Sequence, residues 1–337
     1  MSKKKSQRST RRHYRQATET AVRPATDVDV PQLLDGGAPK EASSNLKWPS
    51  GRENTARKDN ISWAAASWLV GLHVLALAAP WTFTWHALAA MIFMHWVCGG
   101  IGICLGYHRL LTHGGFLTYN WVRRFIATVG CLAGEGPPIM WVSNHRLHHA
   151  RSDQEGDPHS PNDGGWWSHA FWLAYKVGGK NTAEYHRKWS PDLHRDRYIR
   201  ALDYLFIPVN ILCGVIMGAI GYAIDGWTGA TSWLVWGVAL RMVLVLHATW
   251  LVNSASHMWG YRNYETRDDS RNNWWVALVT YGEGWHNNHH AHPRMAKHGH
   301  KWWEFDITFL TIRLMKAVGL AWEVVDYRSR SEKRDAA

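Results

Sequence analysis

The chain has 337 residues, 38 Lys and Arg against 27 Asp and Glu, and a formal net charge of +11. That length allows one large domain or two small ones. Its four Cys (Cys98, Cys104, Cys131, Cys213) lie in apolar stretches and form no CxxC pair, which argues against a disulfide frame or a thiolate zinc site.

Residues 1–58 hold 13 Lys and Arg against 6 Asp and Glu, so +7 of the net charge lies there. With few large apolar residues this segment has nothing to build a core from, and it is read as a disordered basic tail. It precedes apolar spans, so a cytoplasm-facing anchor to anionic lipid is expected rather than nucleic-acid binding. No cleavable signal peptide is expected, because no apolar run follows the first charges closely.

A mean hydropathy of −0.32 hides strong segregation. A bilayer core needs about 20 apolar residues in helical form. Residues 61–80 and 86–106 fit, separated by a short Trp-flanked turn, and 204–224 and 232–250 make a second pair around Asp225-Gly226-Trp227-Thr228-Gly229. These segments lack the polar stripe of a buried helix in a soluble protein. The 23 Trp suit a membrane interface, where one ring edge is apolar and the other wet. His73, His95 and His247, inside the spans, are read as hydrogen-bonded packing residues. Residues 123–141 begin with Arg123 and Arg124 and carry Glu135, Pro137 and Pro138, so their clean apolar part, 125–133, is too short to cross. Two hairpins put both termini on one side, which the positive-inside rule makes the cytoplasm, together with the polar blocks 107–203 and 253–337. A polar tail, 328–337, closes the chain.

Three histidine clusters flank the spans: His108 and His113 in HxxxxH, His145, His148 and His149 in HxxHH, and His286, His289 and His290 in a second HxxHH. Positions i, i+3 and i+4 share a helix face, so each HxxHH aims three imidazoles at one point. HxxxxH sets its pair about 140° apart on an ideal helix, so a bend or a helix end is expected there. With 21 His in 337 residues, chance supplies about 0.08 HxxHH matches, and two are present. Eight clustered imidazoles exceed the four ligands of one tetrahedral zinc and suit two metals with open positions. With no thiolate nearby, redox chemistry with O2 on iron is the natural use.

The order HxxxxH, HxxHH, HxxHH, with two pairs of spans, resembles the membrane fatty acid desaturases over roughly residues 61–325. The match is nearest to the Δ9 acyl desaturases of stearoyl-CoA desaturase type in their bacterial and cyanobacterial form. Further stretches carry it: Gly106-Tyr107-His108-Arg109-Leu110, Asp157-Pro158-His159, Trp166-Trp167-Ser168-His169, Val252-Asn253-Ser254-Ala255-Ser256-His257, and Gly282-Glu283-Gly284-Trp285-His286.

The resemblance implies an all-α integral membrane protein: a desaturase domain over 59–327, with four transmembrane helices in two hairpins and a cytoplasmic helical cap holding a di-iron site. It implies a ninth ligand, His257, and a water-mediated contact from Asn253. One iron would take His108, His113, His145, His149 and His289, and the other His148, His257, His286 and His290. Asp157 is expected to orient a ligand imidazole, since such rings usually donate their other N–H to a carboxylate. His159 and His169 are expected to orient ligands or hold structure, and His292, His298 and His300 to be surface or structural. Trp141, Thr249 and Trp250 would line the acyl tunnel, although interfacial anchoring is an equal reading of both Trp.

The implied reaction is O2-dependent insertion of a cis double bond into a saturated acyl chain, with electrons from an external donor of ferredoxin or cytochrome b5 type. The acyl carrier stays open: Gly136 and Ser143 stand where the animal acyl-CoA enzymes have Asn and Arg, so their CoA grip does not carry over. A hydroxylase or ketolase on the same scaffold, whose product would be a hydroxylated chain, is the nearest rival. A metal transporter is a remote one, because transport sites usually lie within the spans.

Overall fold

The computed structural model describes residues 56–326, so the basic tail assigned to 1–58 lies outside them but for its last three residues, and the polar tail at 328–337 lies outside them entirely. Three helical runs are long and apolar enough to cross a bilayer: Trp63–Trp81, Trp85–Thr112 and Arg197–Met258. Only 11 % and 22 % of the apolar windows of the first and third are buried within the protein, so most of their apolar surface faces outward. Val70, Val74 and Leu75 on the first run and Ile211, Leu212 and Val215 on the third are exposed. Soluble proteins rarely expose apolar surface on that scale, whereas a bilayer would cover it.

Helix α1 (Trp63–Ala76) fills most of the first run. Helix α2 (Trp85–His95) starts on the Thr84 side chain, which accepts from the Ala87 N–H. It continues without a break as a π-helix over Trp96–Thr112. Gly102 lets this helix lie against the Gly130 backbone, where a Cβ would come within 2.9 Å of the Gly130 Cα. Its partner is α3 (Asn120–Cys131), twelve residues long. At about 1.5 Å per residue α3 spans roughly 18 Å, short of the ~30 Å hydrocarbon thickness. It is instead packed through Val122, Ile126 and Ala127, which are buried.

Helix α4 (Pro138–Arg151) begins on a proline, whose missing N–H is harmless in a first turn. The short helices α5 (Gly165–His169), α6 (Thr182–Trp189) and α7 (Pro191–Arg195) follow. Helix α8 (Arg197–Ser232) opens on an Asp196 cap and breaks at Asp225 and Gly226, where the backbone leaves helical angles. There the chain reverses. Gly221 and Gly229 approach so closely that neither has room for a Cβ, and Leu234 lies against Gly218. The predicted turn at 225–229 is therefore the point where the third run folds into two antiparallel legs. The second leg, Trp233–Leu240 and α9 (Arg241–Asn253), runs into the four-residue α10 (Ala255–Met258).

The remaining chain forms a cap at one end of the helices from α11 (Trp274–Val279), α12 (His286–Ala291) and α13 (Ile307–Ala317). Strand β1 (Leu117–Thr118) pairs antiparallel with β2 (Ala321–Trp322), Leu117 opposite Trp322, which ties the end of the cap to the start of α3. One buried cluster runs from Leu105 and Tyr107 on the second run through Ile126, Ile139 and Val142 to Ile199 and Ile312. Cap and apolar helices thus share a core. His73 and His247 meet through Nε2 atoms 3.1 Å apart, and His247 Nδ1 is 3.0 Å from His169 Nε2.

Candidate metal centre

The π-helix explains how HxxxxH works. The His113 N–H bonds the His108 carbonyl at 3.2 Å, a five-residue step. In this wider spiral i and i+5 stack, and the two rings lie 4.8 Å apart. The departure from the ideal helix is thus a widening that ends at His113. On α4, His145, His148 and His149 project from the last two turns. On α12, Asn287 and Asn288 between the histidines point the other way and hold the helix down. Asn287 Oδ1 accepts the N–H groups of Asn263 and Tyr264, and Asn288 donates to the His298 carbonyl and to Glu304. A six-residue helix is not stable by itself, so these bonds fix its orientation.

These elements converge at the junction of cap and apolar helices. His108, His113, His145, His149 and His289 form one group and His148, His257, His286 and His290 a second; within each, the candidate ligand atoms lie within 4.8 Å of one another. The resemblance divided the nine histidines in the same way. Asn253 lines the adjoining cavity with His145 and His159.

In the first group Nε2 faces Nε2: His108 to His289 at 3.0 Å, His289 to His149 at 2.9 Å, and His149 to His145 at 3.0 Å. An Nε2 that carries hydrogen has no lone pair, and one without hydrogen has nothing to donate. His289 and His149 each face two rings with a single hydrogen or a single lone pair, so at most two of the three contacts can be proper hydrogen bonds, whereas a shared cation satisfies all four nitrogens. With metal–imidazole bonds of about 2.1 Å, nitrogens at right angles around an ion stand about 3.0 Å apart. The donor set therefore fits a metal with more than four positions.

In the second group the outer nitrogens are held by carboxylates. His148 Nδ1 lies 3.0 Å from Asp157, His257 Nδ1 2.7 Å from Asp153, and His290 Nδ1 2.8 Å from Asp268. The Nε2 atoms of all three are buried without a protein partner, as are both nitrogens of His286. Each carboxylate thus fixes the tautomer that leaves Nε2 bare for a metal.

Burial, followed by the neighbouring imidazoles, holds His113, His145, His149, His286 and His289 well below the usual histidine range, so they stay neutral donors. Burial alone would raise Asp268 and Asp153, but the bonds from His290 and His257 win and hold both carboxyls ionised. His148 is the exception: burial lowers it, yet Asp157 raises it above its ordinary value.

Sequence reasoning named Asp157 alone among the orienting carboxylates. Asp153, Asp268 and Glu283 share its role, and a scan for acidic residues beside each histidine motif would have flagged Glu283, three residues before His286. Glu283 accepts from His108 Nδ1 at 2.7 Å and from the buried Arg109 at 3.0 Å. His298, expected at the surface or in a structural role, is buried with Nδ1 3.0 Å from Glu283, and burial drives it down to about 4.

Beside the first group lies a cavity of about 600 Å³, walled by Trp141, Thr249 and Trp250 and by Trp68, Leu69 and Phe206. Trp141 stacks on His145 with ring centroids 4.9 Å apart.

The fatty acid desaturase family model matches residues 79–307. The chain belongs to the fatty acid desaturase family. It is 46% identical over 266 residues to an sn-2 palmitoyl-lipid 9-desaturase of Nostoc sp. (strain 36), covering 79% of this chain and 90% of that one. An sn-1 stearoyl-lipid 9-desaturase of Anabaena variabilis is 44% identical over 272 residues, 80% of this chain and 96% of the other. An acyl-CoA 5-desaturase of Anemone leveillei is 42% identical over 255 residues, 75% and 76% of the two chains. The protein is thus an oxidoreductase, a fatty acid desaturase with histidine clusters suited to metal binding.

Proposed function

We propose that this desaturase inserts a cis double bond at the Δ9 position of a saturated acyl chain carried by a membrane lipid or by CoA, using two iron ions and O2. The observation that carries the reading is the pair of imidazole groups with buried, bare nitrogens beside an apolar cavity. The 9-desaturase names of the two cyanobacterial relatives support the position, and the lipid and CoA substrates in the relatives' names leave the carrier open.

On this reading one iron is held by His108, His113, His145, His149 and His289, and the other by His148, His257, His286 and His290, with Asn253 reaching one of them through water. Asp153, Asp157, Asp268 and Glu283 place four negative charges one hydrogen bond outside the ligands, which matches the charge of two divalent ions. Bound iron supplies the one-electron chemistry with O2 that an unactivated CH2–CH2 requires. The chain's own part is placement. The walls at Trp141, Thr249 and Trp250 hold one C–C bond against the site and exclude water, and a misplacement of about 1 Å lowers such a rate on the order of 100-fold.

The balanced reaction takes acyl chain, O2, two electrons and two protons to the alkene and two waters. An external donor, ferredoxin or a cytochrome b5-like protein, supplies the electrons, and the net charge of +11 favours an acidic one. The four legs of helix cross a bacterial inner membrane, with cap and both termini in the cytoplasm.

Expression in a host lacking unsaturated lipids, followed by fatty acid analysis, tests this. A new cis-alkene is expected, and His148→Ala or His289→Ala abolishes it. A hydroxylated chain without alkene would replace the reading by a hydroxylase.

A further inference from the structure

We propose that Glu135 is a proton-linked gate of the acyl cavity, neutral when the chain is seated, so that binding the substrate takes up one proton. This rests on the reading of the cavity as the acyl tunnel.

Glu135 sits in the turn between α3 and α4, flanked by Gly134 and Gly136 with φ of 83° and 100°. These left-handed angles turn the chain sharply inward and favour glycine at both places. The carboxyl lines the cavity and bridges two of its walls. It accepts from Thr249 Oγ1 at 2.7 Å and from Trp141 Nε1 at 2.8 Å. Its partial exposure is exposure to the cavity.

No cation answers this charge among its described partners. The second run contributes Tyr107 and Cys104, both neutral in their ordinary states, to its surroundings. On the far side of Tyr107, α8 adds a second carboxyl, Asp203. α4 presents His145 to the same cavity, the loop before α5 presents His159, and burial keeps both neutral. Lys176 and His186 line the cavity too, but neither is bonded to Glu135. α1 contributes Trp68 and Leu69, which carry no charge.

Burial pushes the Glu135 carboxyl up to about 7, with the bonds from Thr249 and Trp141 opposing it. Water in the empty cavity solvates the ionised form. Methylenes replacing that water remove this solvation and leave two donors only, which favours the neutral acid. The Thr249 hydroxyl then reverses its role and accepts the new O–H. The sign follows: seating raises the carboxyl further, so affinity is full below pH 7 and falls as pH rises above it.

The test uses tritiated methyl stearate, which has no titratable group, bound to the metal-loaded protein in nanodiscs between pH 6 and 9. The dissociation constant is expected to rise about tenfold per pH unit above 7, with uptake approaching one proton measured by calorimetry in buffers of different ionisation heat. Glu135→Gln should bind with no pH dependence and no proton uptake. Thr249→Val, which removes one donor to the carboxylate, should move the onset to higher pH. A flat wild-type profile, or a wild-type profile unchanged in Glu135→Gln, overturns the gate while leaving the tunnel intact. Absence of methyl stearate binding at every pH in wild type removes the tunnel, and the gate with it.

Discussion

The two imidazole groups are built on different principles. In the four-histidine group three of the rings lean on a carboxylate each, Asp157, Asp153 and Asp268, and their Nε2 atoms stand apart and bare. In the five-histidine group, among the described residues, only His108 has a carboxylate, Glu283, and the rings crowd Nε2 to Nε2. The first is organised from outside by negative charge, and the second by helix packing, through the π-helix and α4. A metal in the first meets compensating charge. A metal in the second mainly relieves lone pairs that nothing else satisfies.

Glu283→Gln should break the comparison most severely. Glu283 is the link that the five-histidine group shares with the buried Arg109, which also pairs with Asp306 at 2.9 Å. Removing one partner of a buried ion pair costs about 3–5 kcal/mol. Thermal denaturation should show a loss of that size, with loss of metal from the five-histidine group.

Next in size are Asp153→Asn, Asp157→Asn and Asp268→Asn. Each should lower affinity at the four-histidine group by about 10–100-fold and leave the other group filled. Metal titration reads this, and equal loss at both groups would erase the distinction.

Acid should sharpen it further. His113, His145, His149 and His289 are held below the usual histidine value, so the unfolded chain takes up protons first and stability falls as pH drops below about 6.5. His148 runs the opposite way: its raised value adds stability that is lost as pH rises through it. Asp153, Asp157 and Asp268 are held down, so their contribution persists until pH falls below about 4. A ring held low takes up a proton last and keeps its metal longest, so metal release followed against pH should begin at the four-histidine group, where His148 is raised.

The smallest effect is expected at Gly102→Ala, where an added methyl meets the Gly130 backbone and parts the π-helix from α3. Overpacking of this kind costs about 1–3 kcal/mol. It should loosen the five-histidine group alone, seen as weaker metal binding there.

Periodicity made the two HxxHH clusters legible, because i, i+3 and i+4 share a face on any α-helix. The reversal at Asp225 and Gly226 was legible from turn residues between apolar runs. The second run was not legible in full: it extends to Thr112 because the apolar helix passes unbroken into the first histidine cluster as a π-helix, a form with no simple residue signature. Asp153 and Asp268 escaped notice because they meet His257 and His290 only through loops, 104 and 22 residues away in sequence. His298 has no motif partner, and only burial beside Glu283 draws it to the site.

The central claim is that the two groups hold one metal each, independently built. Iron content and iron-edge anomalous scattering of the wild type, His113→Ala and His286→Ala test it directly. Two irons per chain are expected in the wild type, with His113→Ala emptying the five-histidine position and His286→Ala the four-histidine one. An active wild type without bound iron, or two variants that each keep both ions, would contradict the account.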